Sequence, residues 1–289
     1  MTDRCADLSL AAGEPLGATA STAEHWLLVE VPGAWPRDVA DGAALPTDAR
    51  EVVVSWLDSH ARSRLQLIRR PARKSASLLA FVVRSEENVS QVRRIELGGL
   101  LELARLDLES AGEVVEHSLA LVCGHGSRDR CCALRGRKLF DVLAERLGEE
   151  EAWISSHQGG HRFAPNLLVL PAGLQFGRVE REGALFLAAR ALAGKIELDR
   201  YRGRTFYEPS VQAAELAVRR TARLEGVDEV VLEAVEDAVI TFRAWDGNEY
   251  TVVVEEVAGP RVPASCGAAP ESQLHFAAAS VTFNPASAA

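Results

Sequence analysis

No stretch of the 289-residue chain approaches the roughly 20 consecutive apolar residues that a membrane-spanning helix requires. An excess of positive charge is missing too, since 32 Lys and Arg against 41 Asp and Glu leave a net charge of −9. That balance argues against nucleic acid as a partner, because such binding needs a basic face to displace counterions. The opening residues, MTDRCADLSLAAGEP, carry acids and lack a charged-then-apolar export pattern, so a cytoplasmic location and no membrane partner are expected. The glycines of CGHGSRD and GRVEREG do not have the strand-to-helix spacing of a nucleotide fingerprint. No pair of carboxylates stands out of the kind that glycoside hydrolysis needs. Cysteine is scarce, five in all. In a reducing cytosol, clustered cysteines are more often metal ligands or redox groups than structural disulfides.

What is present is an ordinary globular composition, 47% hydrophobic and 25% charged, long enough for a substantial core. EHWLLVEVPG reads as a buried strand ended by Pro32 and Gly33. LPTDAREVVVSWLDSHAR reads as a helix capped by Thr47 or Asp48, with Val52, Val53, Trp56, Leu57 and His60 on one face. RLQLIRR, SLLAFVVR and the edge-like QVRRIELGG follow as strands. The middle of the chain repeats this order: SLALVC as strand, CALRGRKLFDVLAERLG as helix, AWISSH as strand, NLLVLPAGLQFGRV as a hairpin, EGALFLAARALAGKI as helix. The expected divisions are 1–112, an α/β region; 113–225, its structural cousin carrying the distinctive loops; and 226–289, a small β appendage with a hairpin at Asp246-Gly247. Cys5, Cys266, His25, His60, His117 and His275 have no partners at useful spacing and read as ordinary packing or surface residues.

Two loops carry chemistry. CGHGSRDRCC gathers Cys123, His125, Cys131 and Cys132, and HQGGH holds His157 and His161. Gly159 and Gly160 make a helical, protease-like reading of the histidine pair unfavourable by about 1 kcal/mol each, and Gln158 stands where a protease would need glutamate. Both loops follow strands, so both can open at one sheet edge. Cys123, Cys132, His157 and His161 then form a complete donor set for one metal centre, either tetrahedral zinc or an iron–sulfur cluster of mixed ligation. The wide gap between Cys123 and Cys132 favours the larger object. Thiol chemistry at Cys131 or Cys132 is the competing reading, and buried unliganded side chains are the bland one.

These residues resemble the sucrase/ferredoxin-like family, through CGHGSRDRCCALRG, HQGGHRFAPNLLVLPAGLQFGRV, YRGRTFY and the softer EPLGATASTAEHWLLVEVPGAWP, from about Glu14 to about Glu215. The resemblance implies an α/β, thioredoxin-like domain holding one [2Fe-2S] cluster on Cys123, Cys132, His157 and His161, with either Cys131 or Cys132 as second thiolate. With the internal repeat, the region before that domain is expected to be a degenerate thioredoxin-like one that lacks the ligands, and the β appendage after it is unmatched. The expected function is electron transfer between unidentified redox donor and acceptor proteins, a carrier more than a catalyst. The sugar-cleaving activity in the family's name finds no support in the residues. A zinc-stabilised binding module and a thiol-disulfide oxidoreductase using Cys131 and Cys132 are the alternatives.

Two imidazoles in place of two thiolates would raise a cluster's potential, as in Rieske centres at roughly −150 to +300 mV against about −400 mV. Arg128, Arg130, Arg135 and Arg162 crowd the loops and are expected either to favour the reduced form or to form a solvated rim. Ring protons on the ligand histidines would couple electron uptake to proton uptake.

Overall fold

The computed structural model describes residues 4–71, 73 and 75–286. Helix α1 (Cys5–Ala11) precedes β1 (His25–Glu30), α2 (Thr47–Ser59), β2 (Ser63–Arg69), β3 (Leu78–Ser85), β4 (Ser90–Leu97) and β5 (Glu113–Val115). The series then recurs as β6 (Leu119–Cys123), α3 (Arg137–Ala144), β7 (Ala152–Ser155), β8 (Leu167–Leu170), β9 (Leu174–Phe176), α4 (Ala184–Leu192) and β10 (Tyr201–Arg204). All ten strands form one sheet in the order β10-β9-β8-β6-β7-β2-β1-β3-β4-β5.

Within each half the pairing is the same. β1 runs parallel to β2 and antiparallel to β3, and β6 runs parallel to β7 and antiparallel to β8. The strand order of the two halves therefore agrees with the internal repeat expected from sequence. They join where β2 meets β7 antiparallel, through Ile68↔Ser155 and Arg69↔Ile154. Glu30, Ile68, Ser155 and Cys123 consequently lie in one row across the sheet. The loops after β6 and β7 leave that row side by side. β5, which starts at residue 113, pairs with β4 of the first half, so β4 is covered and β5 forms the edge.

The strands read as apolar runs because both sheet faces are covered. Leu27, Val29, Leu67, Val122 and Val169 face helices α2 to α4, and Trp26, Leu28, Phe81, Leu121 and Trp153 fill the other face. Two expectations about helices are corrected. No side chain caps α2, since Pro46 holds the capping position and its carbonyl accepts the Arg50 N–H at 2.8 Å. The helix expected from Cys132 to Gly148 opens as a π-helical turn over Cys132–Gly136 and ends as α-helix at Ala144.

Beyond β10, α5 (Pro209–Ala222) packs on a four-stranded antiparallel sheet of β11 (Val230–Glu236), β12 (Val239–Ala244), β13 (Glu249–Pro263) and β14 (Pro270–Asn284). Val211, Ala214 and Val218 meet Ile240, Phe242 and Val252 in this second core. The turn between β13 and β14 carries Cys266 back towards α1. Among the described residues no helix is long and apolar enough to cross a membrane.

Candidate metal centre

Cys123 is the last residue of β6, and His157 stands two residues beyond β7. Because those strands are parallel neighbours with Cys123 opposite Ser155, the two loops converge. One donor atom each from Cys123, Cys132 and His157 lies within 4.8 Å of the others. His161 joins through Cys132, with its Nδ1 3.8 Å from the Cys132 Sγ. The two imidazoles stack with ring centroids 3.9 Å apart. Cys123, Cys132 and His161 are buried and His157 is half-buried, with its Nδ1 lacking any hydrogen-bond partner.

Close backbone contact brings the thiols together. The π-helical turn that starts at Cys132 rests on the end of β6, and a Cβ on Gly136 would overlap the carbonyl oxygen of Cys123. In the other loop Gly159 (φ 91°) and Gly160 (φ 68°) both occupy left-handed backbone, which folds His161 back over His157. The glycine loop predicted between these histidines is present, and His161 starts a short 3-10 turn.

Supporting groups fix the loops from below. The Arg202 guanidinium donates to the Gly159 carbonyl (3.1 Å), Asn166 Oδ1 (3.0 Å), Thr19 Oγ1 (3.0 Å) and the Thr19 carbonyl. Arg64 and Gln66 of β2 donate to the His157 carbonyl at 3.3 and 3.1 Å. His125 accepts the His157 N–H on Nδ1 at 3.2 Å, so its Nε2 carries the proton and donates to the Pro36 carbonyl at 2.8 Å. Both nitrogens of His125 are thereby occupied, and it is not a metal donor.

The electrostatics separate two states of one thiol pair. Cys132 donates to Cys123, and the His157 ring and the Gln158 amide add to the effect, so Cys123 is held well below the ordinary thiol range and Cys132 is pushed well above it. Burial, followed by the neighbouring His157, lowers His161 to about 4, which leaves a neutral imidazole at neutral pH. Burial, with Arg162 next, lowers Arg202 to about 9.

The arginines singled out from sequence are mostly engaged elsewhere. Arg162 donates to Glu14 at 2.6 Å, Arg135 pairs with Asp7, Arg128 lies 3.9 Å from Asp38, and Arg130 is exposed. Arg64 and Arg202 are the guanidinium groups that donate to the backbone carbonyls of the histidine loop. Sequence reasoning missed them, although the YRGRTFY motif pointed at Arg202.

The vicinal pair divides between two sets of neighbours. Cys132 faces Cys123 and His161, whereas the Cys131 Sγ lies 3.7 Å from Cys5 and 3.4 Å from Cys266. Cys5 and Cys266, read from sequence as residues without partners, are therefore brought together by the fold. Asp129 sits between the two sets.

A largely buried two-thiol, two-imidazole set on a mixed α/β sheet marks a candidate metal-binding or redox protein. The sucrase/ferredoxin-like family matches residues 16–203, more than half of the chain, and the protein belongs to that family. It is 36% identical over 98 residues to altered inheritance of mitochondria protein 32 of Eremothecium gossypii, covering 33% of this chain and 31% of that protein. It is 28% identical over 148 residues to altered inheritance of mitochondria protein 32 of Meyerozyma guilliermondii, covering 47% of this chain and 52% of that one. The chain thus spans about half or less of these relatives. No solved structure matches it.

Proposed function

We propose that this protein carries electrons through one [2Fe-2S] cluster held by Cys123, Cys132, His157 and His161, in a thioredoxin-like half of the sheet. The observation that carries the proposal is the convergence of two thiols and two imidazoles from adjacent loops, one of them with a buried ring nitrogen left unpaired. Family membership and the shared β-α-β-β-β order of the two halves support the reading. When bound, the cluster would supply a one-electron couple raised by imidazole ligation.

The chain's own residues prepare that couple. Cys123 is poised as a thiolate. His161 presents Nδ1 to the donor set, which leaves Nε2 as the atom that holds a proton. Buried Arg202 and half-buried Arg64 place positive charge beside the loops and favour added negative charge. His157 and His125 also line a surface cleft with Arg37, Arg64 and Arg128, where a redox partner protein could approach the donor set through an imidazole edge.

Anaerobically purified protein should be red-brown and contain iron and acid-labile sulfide in equal amounts. Colourless protein without sulfide would overturn the reading. A single zinc ion is the second reading, favoured by the closeness of Cys123, Cys132 and His157. Zinc in place of iron at these residues would establish it.

A further inference from the structure

We infer that Cys5, Cys131, Cys266 and Asp129 form a second metal site, a closed structural zinc site that ties both ends of the chain to the loop carrying Cys132. The three cysteines come from α1, the loop after β6 and the tip of the β13–β14 hairpin. Their sulfurs form a nearly equilateral triangle with edges of 3.7 Å (Cys5–Cys131), 3.4 Å (Cys131–Cys266) and 3.6 Å (Cys266–Cys5). A Zn–S bond of about 2.3 Å requires sulfurs on one tetrahedral ion to lie about 3.8 Å apart. A disulfide would need them near 2.05 Å, and all three cysteines are free thiols. Since every edge is short, the triangle fits ligands of a single ion.

Asp129 completes the set. Its carboxylate lies 3.5 Å from the Cys266 sulfur and 3.9 Å from the Cys5 sulfur, against about 3.5 Å for an oxygen and a sulfur on one zinc ion. The same carboxylate accepts the Cys131 N–H at 2.7 Å and the Cys266 N–H at 2.9 Å, so it also fixes the backbone of two of the three cysteines. Cys5 and Cys131 are fully buried, Asp129 nearly so, and the set faces a cavity lined by Arg4, Arg37, Arg128 and Arg130. Three thiolates and a carboxylate on a divalent ion leave a net charge of −2, which those guanidinium groups offset. On binding, hydrated zinc gives up its waters and the thiol protons pass to solvent. Soft sulfur ligands in a closed tetrahedral arrangement favour zinc over the hard cations.

Cys5 and Cys266 lie outside residues 16–203, the span that matches the family. The proposed ion draws two of its four ligands from outside that span, and it would hold Cys131, the immediate neighbour of Cys132, in place.

The test is metal analysis of protein produced with both zinc and iron in the medium. Wild type should hold one zinc per chain that resists dialysis. Joint substitution of Cys5→Ser and Cys266→Ser should remove at least nine-tenths of that zinc while iron, sulfide and visible absorption stay. Cys123→Ser should do the reverse. If the first centre holds zinc instead of a cluster, wild type should carry two zinc ions and the double variant one, so the two assignments fail separately. X-ray absorption at the zinc edge of wild type needs no variant and should give three sulfurs and one oxygen. Cys266→His, a conservative ligand change, should retain zinc. Unchanged zinc in the double variant, a disulfide among the three cysteines, or zinc bound only by two sulfurs and two nitrogens would overturn the proposal.

Discussion

The two halves of the large sheet share a strand order and differ at one row. In the second half that row ends in Cys123 and Ser155, from which the donor loops depart; in the first it ends in Glu30 and Ile68. Glu30 is buried and accepts the Leu79 N–H at 2.9 Å and an Arg73 N–H at 2.8 Å. A strand end that holds thiol and imidazole donors in one half thus holds a carboxylate–guanidinium pair in the other. The first half still serves the centre, because Arg64 and Gln66 of β2 run beside the histidine loop and Pro36 accepts from His125. The difference teaches that the site depends on what fills the loops, and that the shared architecture alone does not create it.

The sharpest way to break this comparison is to exchange the row residues' fates. Cys123→Ser should abolish iron binding, whereas Glu30→Ala should leave iron content unchanged and lower stability by about 3 kcal/mol, the usual effect of stripping one partner from a buried pair. Metal analysis and denaturant unfolding measure both. Loss of iron from the Glu30 variant would mean that the halves do not act separately.

Replacing a ligand rather than deleting it sharpens the contrast. His161→Cys should add negative charge, lower the midpoint potential and weaken its dependence on pH, provided the cluster assembles. In wild type the potential should fall with rising pH above the histidine pKa of the oxidised form. Potentiometry between pH 6 and pH 10 decides this, and a flat profile in wild type would remove the coupling of ring protons to electron uptake.

Gly136→Ala tests the packing that joins the thiols. Its added methyl meets the Cys123 carbonyl at the start of α3, so either strand β6 or the π-helical turn must shift. Overpacking of this kind costs about 1–3 kcal/mol. Iron content should fall in the same variant because both thiols border the clash. In contrast, Gly183→Ala just before α4 meets open space and should leave both stability and iron within error.

Much of this organisation was legible in the sequence because it is local. Alternating and continuous apolar runs marked the strands, and the glycine pair between His157 and His161 marked a loop. The four candidate donors stand in two short segments, which the fold brings together. The pairing of Cys5 with Cys266 was not legible, since 261 positions separate them and only the return of the β13–β14 hairpin joins them. Arg202 escaped for a related reason: one guanidinium in a basic stretch looks solvated until the fold buries it under Gly159. The backbone partners of Asp129, the N–H groups of Cys131 and Cys266, appear only in three dimensions.

A last prediction turns on the sign of a pH slope at two buried residues, one in each half, in protein stripped of metal. Burial lowers His161 from an ordinary 6.5 to about 4, so between those values the unfolded chain binds the proton and the fold does not. Stability from this residue is full above pH 6.5 and drains away as pH falls towards 4, by on the order of 3 kcal/mol. Glu30 acts in the opposite sense. Burial raises its pKa above 4.5 despite Arg73, so its contribution is full below pH 4.5 and is lost as pH rises through the raised value. Denaturant unfolding at pH 7.5, 6.5 and 5.5 should therefore show stability falling with acid. His161→Gln should flatten that fall, and Glu30→Gln should steepen it. A His161 variant with the wild-type slope would mean that the imidazole already titrates freely in the folded chain, and the burial that sets its neutral form would not hold.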